Sequence, residues 1–290
     1  MARPGIPNEL ETEDMLDLAP VTNPNKALWE KGDFTKIAET MRKSGEELVA
    51  TLDITPGMQV LDLGCGDGTT ALPAARRGAD VLGVDIAANL VAAGNRRAQR
   101  AGLANLQFVG GDASNLDGIR DGRFDLVVSI FGAMFAPRPY DVAREMVRVT
   151  RRGGHIVMGN WVPGDPTLIA ETLRISSAYA PPPPAGFVSP MTWGDEASVR
   201  ERFVAAGIAP QDIRCERATW LFRHPGTPLS FLQLFLDYYG PAMNAFAAAE
   251  AAGKADTLYR ELAELFRSQN RGDESTAIPA TFLKVTVVKD

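Results

Sequence analysis

A glycine-rich turn between two apolar runs carries the residues whose types and spacing could bind a ligand. The turn reads DLGCGDG over residues 62–68, and the second apolar run ends at Asp85. Glycines allow a strand to turn sharply into a helix, and they let the backbone approach a ligand that a Cβ would block. A carboxylate at the end of the following strand can accept hydrogen bonds from both hydroxyls of a ribose. The pattern therefore indicates a nucleoside-containing ligand.

The spacing of the glycines and the charge of the turn bear on which cofactor is bound. The glycines follow G-x-G-x-G, whereas dinucleotide enzymes carry G-x-G-x-x-G, because Thr69 takes the place of the last glycine. A pyrophosphate favours a bare helix N-terminus, but Asp62 and Asp67 place acid in this turn. Negatively charged carboxylates in the turn favour a ligand that carries positive charge, such as one with an amino group and a sulfonium. An NAD-type oxidoreductase stays open as an alternative.

Composition narrows the class of protein. The 290 residues include 30 basic and 36 acidic side chains, for a formal charge of -6, which disfavours a nucleic-acid partner. The two cysteines, Cys65 and Cys215, suggest neither a disulfide framework nor a metal cluster, and no metal is expected. No apolar run is long enough for membrane insertion, and the N-terminal residues lack the apolar core of a secretory signal. We therefore expect a cytoplasmic protein that acts on a small molecule.

The elements that position the turn alternate between strand and helix. Short β-branched apolar runs are typical of buried parallel strands, and strands separated by helices form βαβ units. The first five predicted strands are Gln59–Leu63, Asp80–Val84, Leu106–Val109, Phe124–Ser129 and Gly154–Asn160. The helices between them are predicted near Thr69–Arg77, Asn89–Ala101 and Asp141–Thr150. Pro73 falls inside the first of these helices, where we expect it to remove a hydrogen bond near the first turn.

The regular alternation of strand and helix ends after Trp161. A helix is predicted to stop at the four prolines 181–184, another to end at Gly207, and two further strands to span 213–222 and 281–289. Two helices, Pro228–Ala251 and Asp256–Gln269, interrupt the sheet and are predicted to cap it. The fold class is therefore α/β: a doubly wound, Rossmann-like, mostly parallel seven-stranded sheet with helices on both faces, an N-terminal helical lid and a helical cap inserted before the last strand. The predicted regions are 1–45 (lid), 46–162 (cofactor-binding core) and 163–290 (sheet completion and cap).

Four motifs in order resemble those of class I S-adenosylmethionine-dependent methyltransferases. They are VLDLGCGDG (60–68), VLGVDIA (81–87), FVGGDASNL (108–116), and FDLVVSIFGAMF (124–135) followed by VRVTRRGGHIVMGNW (147–161). The subtype is similar to the ubiquinone/menaquinone-biosynthesis C-methyltransferases and their small-molecule relatives. The segments LWEKGDF and YYGP also resemble recurring segments of a bacterial branch of this family.

The resemblance implies how the cofactor, S-adenosylmethionine, is held. The backbone of Gly64–Gly68 would hold its amino acid part, and Asp85 the ribose. Asp112 would bind the adenine amino group, while residues just past the fourth strand would line the methionine side. Cys65 is interpreted as a small packing residue rather than a nucleophile. The candidate cofactor-binding residues are Trp29, Phe34, Asp62, Gly64, Cys65, Gly66, Gly68, Asp85, Ile86, Asp112, Ala113, Ser129, Phe131 and Gly132.

The methyl acceptor is expected to bind outside the carboxyl ends of the strands. The candidates there are mostly aromatic, which favours a small, apolar or aromatic acceptor, although the same residues could simply bury a helix on the sheet. They are Met134, Phe135, Asn160, Trp161, Trp193, Phe231, Phe235, Tyr238 and Tyr239. Direct methyl transfer needs little acid-base machinery, and only Tyr238, Tyr239 and His155 are chemically suited to act as a base. A non-catalytic protein that binds S-adenosylmethionine as a sensor or scaffold is the alternative of a different class.

Two large aromatic residues precede the sheet. Trp29 and Phe34 flank Gly32 and Asp33, and a solvated leader would leave such residues unburied. In a lid, these two aromatic side chains would close over the sulfonium and the acceptor. The alternative is a helix packed statically on the sheet edge. The lid hypothesis predicts that deleting residues 1–44 leaves the core folded.

Overall fold

The computed structural model describes Asn23 and residues 25–180, 182–183 and 186–290. The predicted leader (1–22) and the prolines 181 and 184 lie outside the described residues. One seven-stranded sheet has the order β3-β2-β1-β4-β5-β7-β6. Its strands are β1 Gln59–Leu63, β2 Asp80–Asp85, β3 Leu106–Gly110, β4 Phe124–Ile130, β5 Thr150–Trp161, β6 Ile213–His224 and β7 Thr276–Lys289.

The first five strands are parallel, while β7 runs antiparallel to both β5 and β6. Strand order therefore reverses between β1 and β4, which is where open α/β sheets bind ligands. The helices are α1 Lys26–Trp29, α2 Thr35–Glu39, α3 Arg42–Val49, α4 Ala71–Arg76, α5 Ala88–Arg100, α6 Pro139–Val149, α7 Leu168–Ser177, α8 Glu196–Ala205, α9 Pro228–Tyr238, α10 Gly240–Ala251 and α11 Ala255–Gln269. The predicted doubly wound, mostly parallel sheet of seven strands is confirmed.

Two buried apolar clusters pack against the sheet. The smaller brings α3, α4 and α5 onto the strands around Val49, Leu72, Ala98 and Phe108. The larger extends from α6 to the helices α9–α11, which lie in the chain between β6 and β7. Apolar side chains are thus buried on both faces of the central strands, as a parallel sheet requires.

Local chemistry explains where the helices differ from the predicted bounds. The predicted helix Pro228–Ala251 is wrong as a single element: Tyr239 is extended, with φ of -96° and ψ of 103°, and separates α9 from α10. Gly240 and Pro241 follow, and a proline near a helix start lacks only an N–H that has no partner there. The same reasoning accommodates Pro73, since α4 begins at Ala71 and leaves this proline in the first turn.

The N-terminal segment closes the free edge of the sheet. Ile37 and Met41 are buried in the main core. Ser44 lies against β6, where its Oγ donates to the carbonyl of Leu221 at 2.9 Å and accepts from that residue's N–H at 3.2 Å. The N–H of Arg223 donates to the carbonyl of Thr40 at 2.9 Å. Residues 40–44 therefore cover an edge of the sheet that would otherwise expose unpaired backbone groups.

Replacing Ile37 by alanine measures how firmly this segment is packed. Since Ile37 is 2% exposed, Ile37→Ala is expected to lower the free energy of unfolding by about 2–5 kcal/mol, as for other large-to-small core changes. Urea denaturation followed by circular dichroism measures the change. Glu39→Ala, on the exposed side of the same helix, serves as the control and should change stability by less than about 0.5 kcal/mol. Equal stability of the two variants would contradict the packing of Ile37 in the main core.

Candidate functional site

A large cavity opens at the carboxyl ends of the parallel strands. Its volume is about 1190 Å³, counting the part that is open to solvent. Concave, mostly apolar clefts of this kind, with a few polar groups at the wall, are where small molecules usually bind. The predicted residues that line it are Trp29, Phe34, Gly64, Cys65, Gly66, Asp85, Ile86, Asp112, Ala113, Phe131, Gly132, Phe135, Trp161, Phe235 and Tyr239.

The glycine turn lies where β1 meets β4, and its three glycines have different tasks. Gly64 has φ of +69°, and a Cβ there would lie 2.6 Å from the Cα of Gly132. Gly66 has φ of +55°, and a Cβ there would meet no protein atom within 4 Å, because it would project into open space beside the turn. Gly68 does not line the cavity. A Cβ at that position would lie 2.7 Å from the ring of Phe108, so this glycine serves packing.

Asp85 ties the turn to the end of β2. Its Oδ2 accepts a hydrogen bond from the N–H of Gly66 at 2.7 Å, and its Oδ1 accepts one from Ala87 at 2.9 Å. Burial raises the pKa of this carboxyl above its usual value, although the two backbone donors oppose the rise. Each carboxylate oxygen keeps a further lone pair. The carboxylate is therefore fixed in orientation and still able to accept hydrogen bonds from a ribose.

The two carboxylates in the glycine turn have partners within the protein that the sequence did not reveal. Asp67 is 2% exposed and forms ion pairs with Arg42 and, at 3.5 Å, with Arg97. Arg42 also donates to the Oγ1 of Thr69 at 2.7 Å. Asp62 does not line the cavity; its Oδ2 accepts a hydrogen bond from Thr70. The sequence argument that both aspartates face a cationic ligand is therefore corrected. Only Asp67 reaches the cavity wall, and two guanidinium groups accompany it.

Asp112 follows β3 on the same side of the cavity. Its Oδ1 accepts from the N–H of Ser114 at 2.9 Å and from the Oγ of that residue at 2.8 Å. Arg138 donates to the same serine hydroxyl at 2.9 Å. Asp112 is 8% exposed, so its carboxylate is held in place at the wall. The thiol of Cys65 also lies at the wall, and burial raises its pKa well above the usual value, which keeps it protonated and unreactive.

The rest of the wall is aromatic. Phe131 stacks on Trp161 with ring centroids 3.6 Å apart and planes 7° apart, and the ring of Trp220 meets Phe131 edge-on at 5.0 Å. At the other side, Trp29 packs 4.8 Å from Phe135 and 6.2 Å from Tyr239. Such edge-to-face arrangements add to the stability that burial provides. The half of the cavity beyond the glycine turn, which we call the aromatic half, is therefore lined by packed aromatic side chains.

Sequence reasoning missed part of this wall. Trp220 and Phe222 line the cavity from β6, and Ile169 does so from α7. Trp220 and Phe222 are two residues apart in a predicted strand and so share a face, which was the available signal. Other lining residues come from the N-terminal segment and from the ends of the strands: Asn23, Asn25, Ile37, Ala38, Met41, Asp67, Thr69, Thr70, Val84, Leu90, Gly111, Ile130, Ala133 and Ala136.

Several predicted residues lie elsewhere. Trp193 packs 6.1 Å from Phe203 and beneath the guanidinium of Arg202. His155 is exposed near the start of β5, roughly 20 Å from Trp161 at roughly 3.3 Å per residue, so it is too distant to act as a base. The predicted residues that do not line the cavity are Asp62, Gly68, Ser129, Met134, His155, Asn160, Trp193, Phe231 and Tyr238.

Comparison with known proteins identifies the family. Residues 61–158 match the family described as a methyltransferase domain. An uncharacterised protein of Mycobacterium tuberculosis is 36% identical over 254 residues, which cover 86% of this chain and 89% of that protein. The demethylmenaquinone methyltransferase of Beutenbergia cavernae is 40% identical over 115 residues, which cover 39% of this chain and 45% of the enzyme.

Solved structures share the fold. The YcgJ protein of Bacillus subtilis has a TM-score of 0.56 at 18% identity, covering 86% of this chain and 99% of that one. A phosphoethanolamine N-methyltransferase of Haemonchus contortus, in complex with phosphomonomethylethanolamine and S-adenosylhomocysteine, has a TM-score of 0.52 at 18% identity, covering 86% of this chain and 53% of that one. The chain belongs to the class I S-adenosylmethionine-dependent methyltransferases, and its cofactor is S-adenosylmethionine. Within the described part of the chain, no helix is long and apolar enough to span a bilayer.

The residues at the wall fit this cofactor. Gly66 offers a backbone surface that a side chain would block, and the fixed carboxylate of Asp85 lies beside it. Gly66→Ala is therefore expected to place a methyl group in the cofactor's space. Overpacking typically costs about 1–3 kcal/mol, which weakens binding by roughly 5- to 150-fold. Isothermal titration calorimetry with S-adenosylmethionine measures the loss.

Gly102 provides a matched control for that substitution. It has φ of +66° and, like Gly66, no atom within 4 Å of an added Cβ, but it lies at the end of α5 outside the cavity. Gly102→Ala should lose similar stability, about 1–2 kcal/mol for the left-handed backbone, and keep wild-type affinity. Equal affinities in the two variants would remove the turn from the cofactor site.

Asp62 makes stability depend on pH. Burial raises its pKa from 3.8 to about 7, against the opposing hydrogen bond from Thr70. Between these two values the folded protein holds a proton that the unfolded chain has released, so the free energy of unfolding falls as the pH rises through this range. At about 1.4 kcal/mol per pKa unit, the total decrease is about 4 kcal/mol.

Asp62→Asn tests this assignment, because the amide can still accept the hydrogen bond from Thr70 but cannot ionise. The variant is expected to gain stability relative to wild type at pH 8 and to lose that advantage at pH 4. Urea denaturation at several pH values measures both proteins. Parallel stability curves across the range would show that Asp62 does not titrate there.

Proposed function

We propose that this methyltransferase transfers the methyl group to a small, uncharged, largely apolar or aromatic acceptor by direct in-line displacement. The composition of the cavity wall carries the proposal. Among the described lining residues the only charged side chains are Asp67, Asp85 and Asp112, and all of them lie at the carboxyl ends of β1, β2 and β3. The remaining wall is mostly apolar and aromatic, and its uncharged polar side chains are those of Asn23, Asn25, Thr69, Thr70 and Tyr239.

Each part of the wall has a proposed task. The backbone from Gly64 to Gly68 holds the amino acid part of the cofactor, and Asp85 accepts from the ribose hydroxyls. Ile86 packs on the adenine, while Asp112 and Ala113 contact its edge. These assignments rest on the resemblance of the motifs and on the position of Asp85, Ile86, Asp112 and Ala113 at the wall.

When bound, the cofactor supplies an electrophilic methyl group on a sulfonium. The protein's own contribution is to position the acceptor and to exclude water, because a nucleophile that is held in line and stripped of solvent reacts faster. The stacked pair of Phe131 and Trp161 provides a flat apolar surface for this purpose. Aromatic faces also attract a cation without competing as nucleophiles. No general base is required for an acceptor that is already nucleophilic.

The absence of cationic groups argues against an anionic acceptor. No lysine, arginine or histidine is among the described lining residues. A phosphate taken into such a cavity would lose its water without gaining a charged partner, which is costly. The phosphomonomethylethanolamine in the Haemonchus complex is therefore a poor guide to the acceptor of this chain.

Residues 25–34 are proposed to form the mouth of the acceptor half. The side-chain amide of Asn25 donates to the carbonyl of Phe135 at 2.8 Å, and Glu30 accepts from the N–H of Ala88 at 3.1 Å. These contacts hold Trp29 and Phe34 against the cavity. The proposed role of this segment is that of a lid, with residues 46–162 as the proposed cofactor-binding core and residues 163–290 as the proposed completion of the sheet and cap.

A paired substrate screen tests the proposed function. Neutral phenols and quinols are compared with their carboxylated or phosphorylated counterparts, and release of S-adenosylhomocysteine is measured. Turnover is expected only with the neutral members, and Gly102→Ala should retain it while Gly66→Ala loses it at low cofactor concentration. Faster turnover of the anionic members would contradict the proposal. Tight cofactor binding without turnover of any neutral acceptor would favour a non-catalytic sensor.

A further inference from the structure

Tyr239 is a polar residue placed in the apolar half of the cavity. It lines the cavity and is 7% exposed, and its hydroxyl has no hydrogen-bond partner among the described residues. The neighbouring Tyr238 is only half-buried and does not line the cavity. Buried tyrosines usually find a partner for their hydroxyl. The Tyr239 hydroxyl is not among the fully enclosed polar atoms, so it can donate a hydrogen bond to a molecule that binds in the cavity.

The backbone holds this side chain in a defined position. Tyr239 occupies the extended residue between α9 and α10, and a Cβ on the next residue, Gly240, would lie 2.3 Å from the carbonyl oxygen of Leu28. The ring packs 5.3 Å from Phe235 and 6.2 Å from Phe34. Phe235, in the cap, packs against the Tyr239 ring from one side, and Phe34, in the N-terminal segment, packs against it from another. A donor fixed in this way loses little conformational entropy when a ligand binds.

Few other groups in this half can make polar contacts. The indoles of Trp161 and Trp220 line the same half, and an indole N–H can only donate. The N–H of Trp220 is enclosed and also has no partner in the described part of the chain. The hydroxyl of Tyr239 is thus a donor at the wall that a ligand oxygen with free lone pairs can use.

We propose that Tyr239 binds the methyl acceptor by donating a hydrogen bond to an uncharged oxygen, so that the acceptor is an apolar ring or chain bearing a carbonyl-type or hydroxyl-type oxygen. The inference rests on the proposed function and specifies the substrate class of the same site. Burial raises the pKa of the Tyr239 hydroxyl well above its usual value of 10. The group therefore stays protonated at neutral pH, and it acts as a donor rather than as the general base that the sequence suggested.

Two probes of matched shape test the hydrogen bond directly. They are 2-acetylnaphthalene and 2-isopropylnaphthalene, which differ in the carbonyl oxygen. Binding to wild type, Tyr239→Phe and Tyr238→Phe is measured by equilibrium dialysis in saturating S-adenosylhomocysteine. Tyr239→Phe is expected to weaken the ketone by roughly 3- to 10-fold, the size of one neutral hydrogen bond, and to leave the hydrocarbon unchanged. Tyr238→Phe should alter neither.

The other outcomes are distinguishable. Unchanged ketone affinity in Tyr239→Phe, or an equal loss for both probes, would overturn the hydrogen bond and leave Tyr239 a packing residue. Failure of both probes to bind wild type, while calorimetry still detects S-adenosylmethionine, would overturn the neutral ring as acceptor and with it the role of Tyr239. Turnover of anionic acceptors in the paired screen, with both neutral probes still binding and the ketone still weakened by Tyr239→Phe, would instead overturn the proposed function and leave the hydrogen bond of Tyr239 in place.

Discussion

The close contact between the backbones of Gly64 and Gly132 is the constraint on which the site depends. A Cβ on Gly132 would lie 2.2 Å from the carbonyl oxygen of Gly64, so neither position tolerates a side chain. The contact brings the turn after β1 against the turn after β4, at the point where strand order reverses. The polar half of the cavity begins at Gly64 and the aromatic half begins at Phe131. One steric requirement therefore sets where cofactor and acceptor can meet.

The aromatic half contains a strained residue next to that contact. Phe131 has φ of +61°, a conformation that costs an aromatic residue about 1–3 kcal/mol. Its N–H donates to the carbonyl of Gly159 at 2.9 Å, and its ring is held by Trp161, Trp220 and Phe282. The surrounding rings support this backbone conformation, and Phe131 and Trp161 form a stacked aromatic pair at the cavity wall. Strain of this kind persists where the surroundings determine it, which is common in binding sites.

Local patterns predicted the local parts of this molecule. The bounds of β1 follow from a short apolar run. The break at Tyr239 was missed, although the Gly240–Pro241 pair that follows it was a signal for it. The ion pairs of Asp67 were not predictable, because Arg42 and Arg97 are 25 and 30 residues away in the chain and only the tertiary fold brings them together. The sequence shows which residues could bind a cofactor, but it does not show which charges the protein has already neutralised.

Those ion pairs connect the N-terminal segment to the cofactor turn. A Cβ on Gly45 in α3 would lie 2.6 Å from the carbonyl oxygen of Thr69, and Arg42 in the same helix pairs with Asp67. Ser44, between them, is bound to the edge strand β6. A helix that is fixed to the sheet on one side therefore supports the turn on the other. Since a ligand stabilises whatever conformation it binds, a ligand that bound this turn would also stabilise α3, which precedes the first strand.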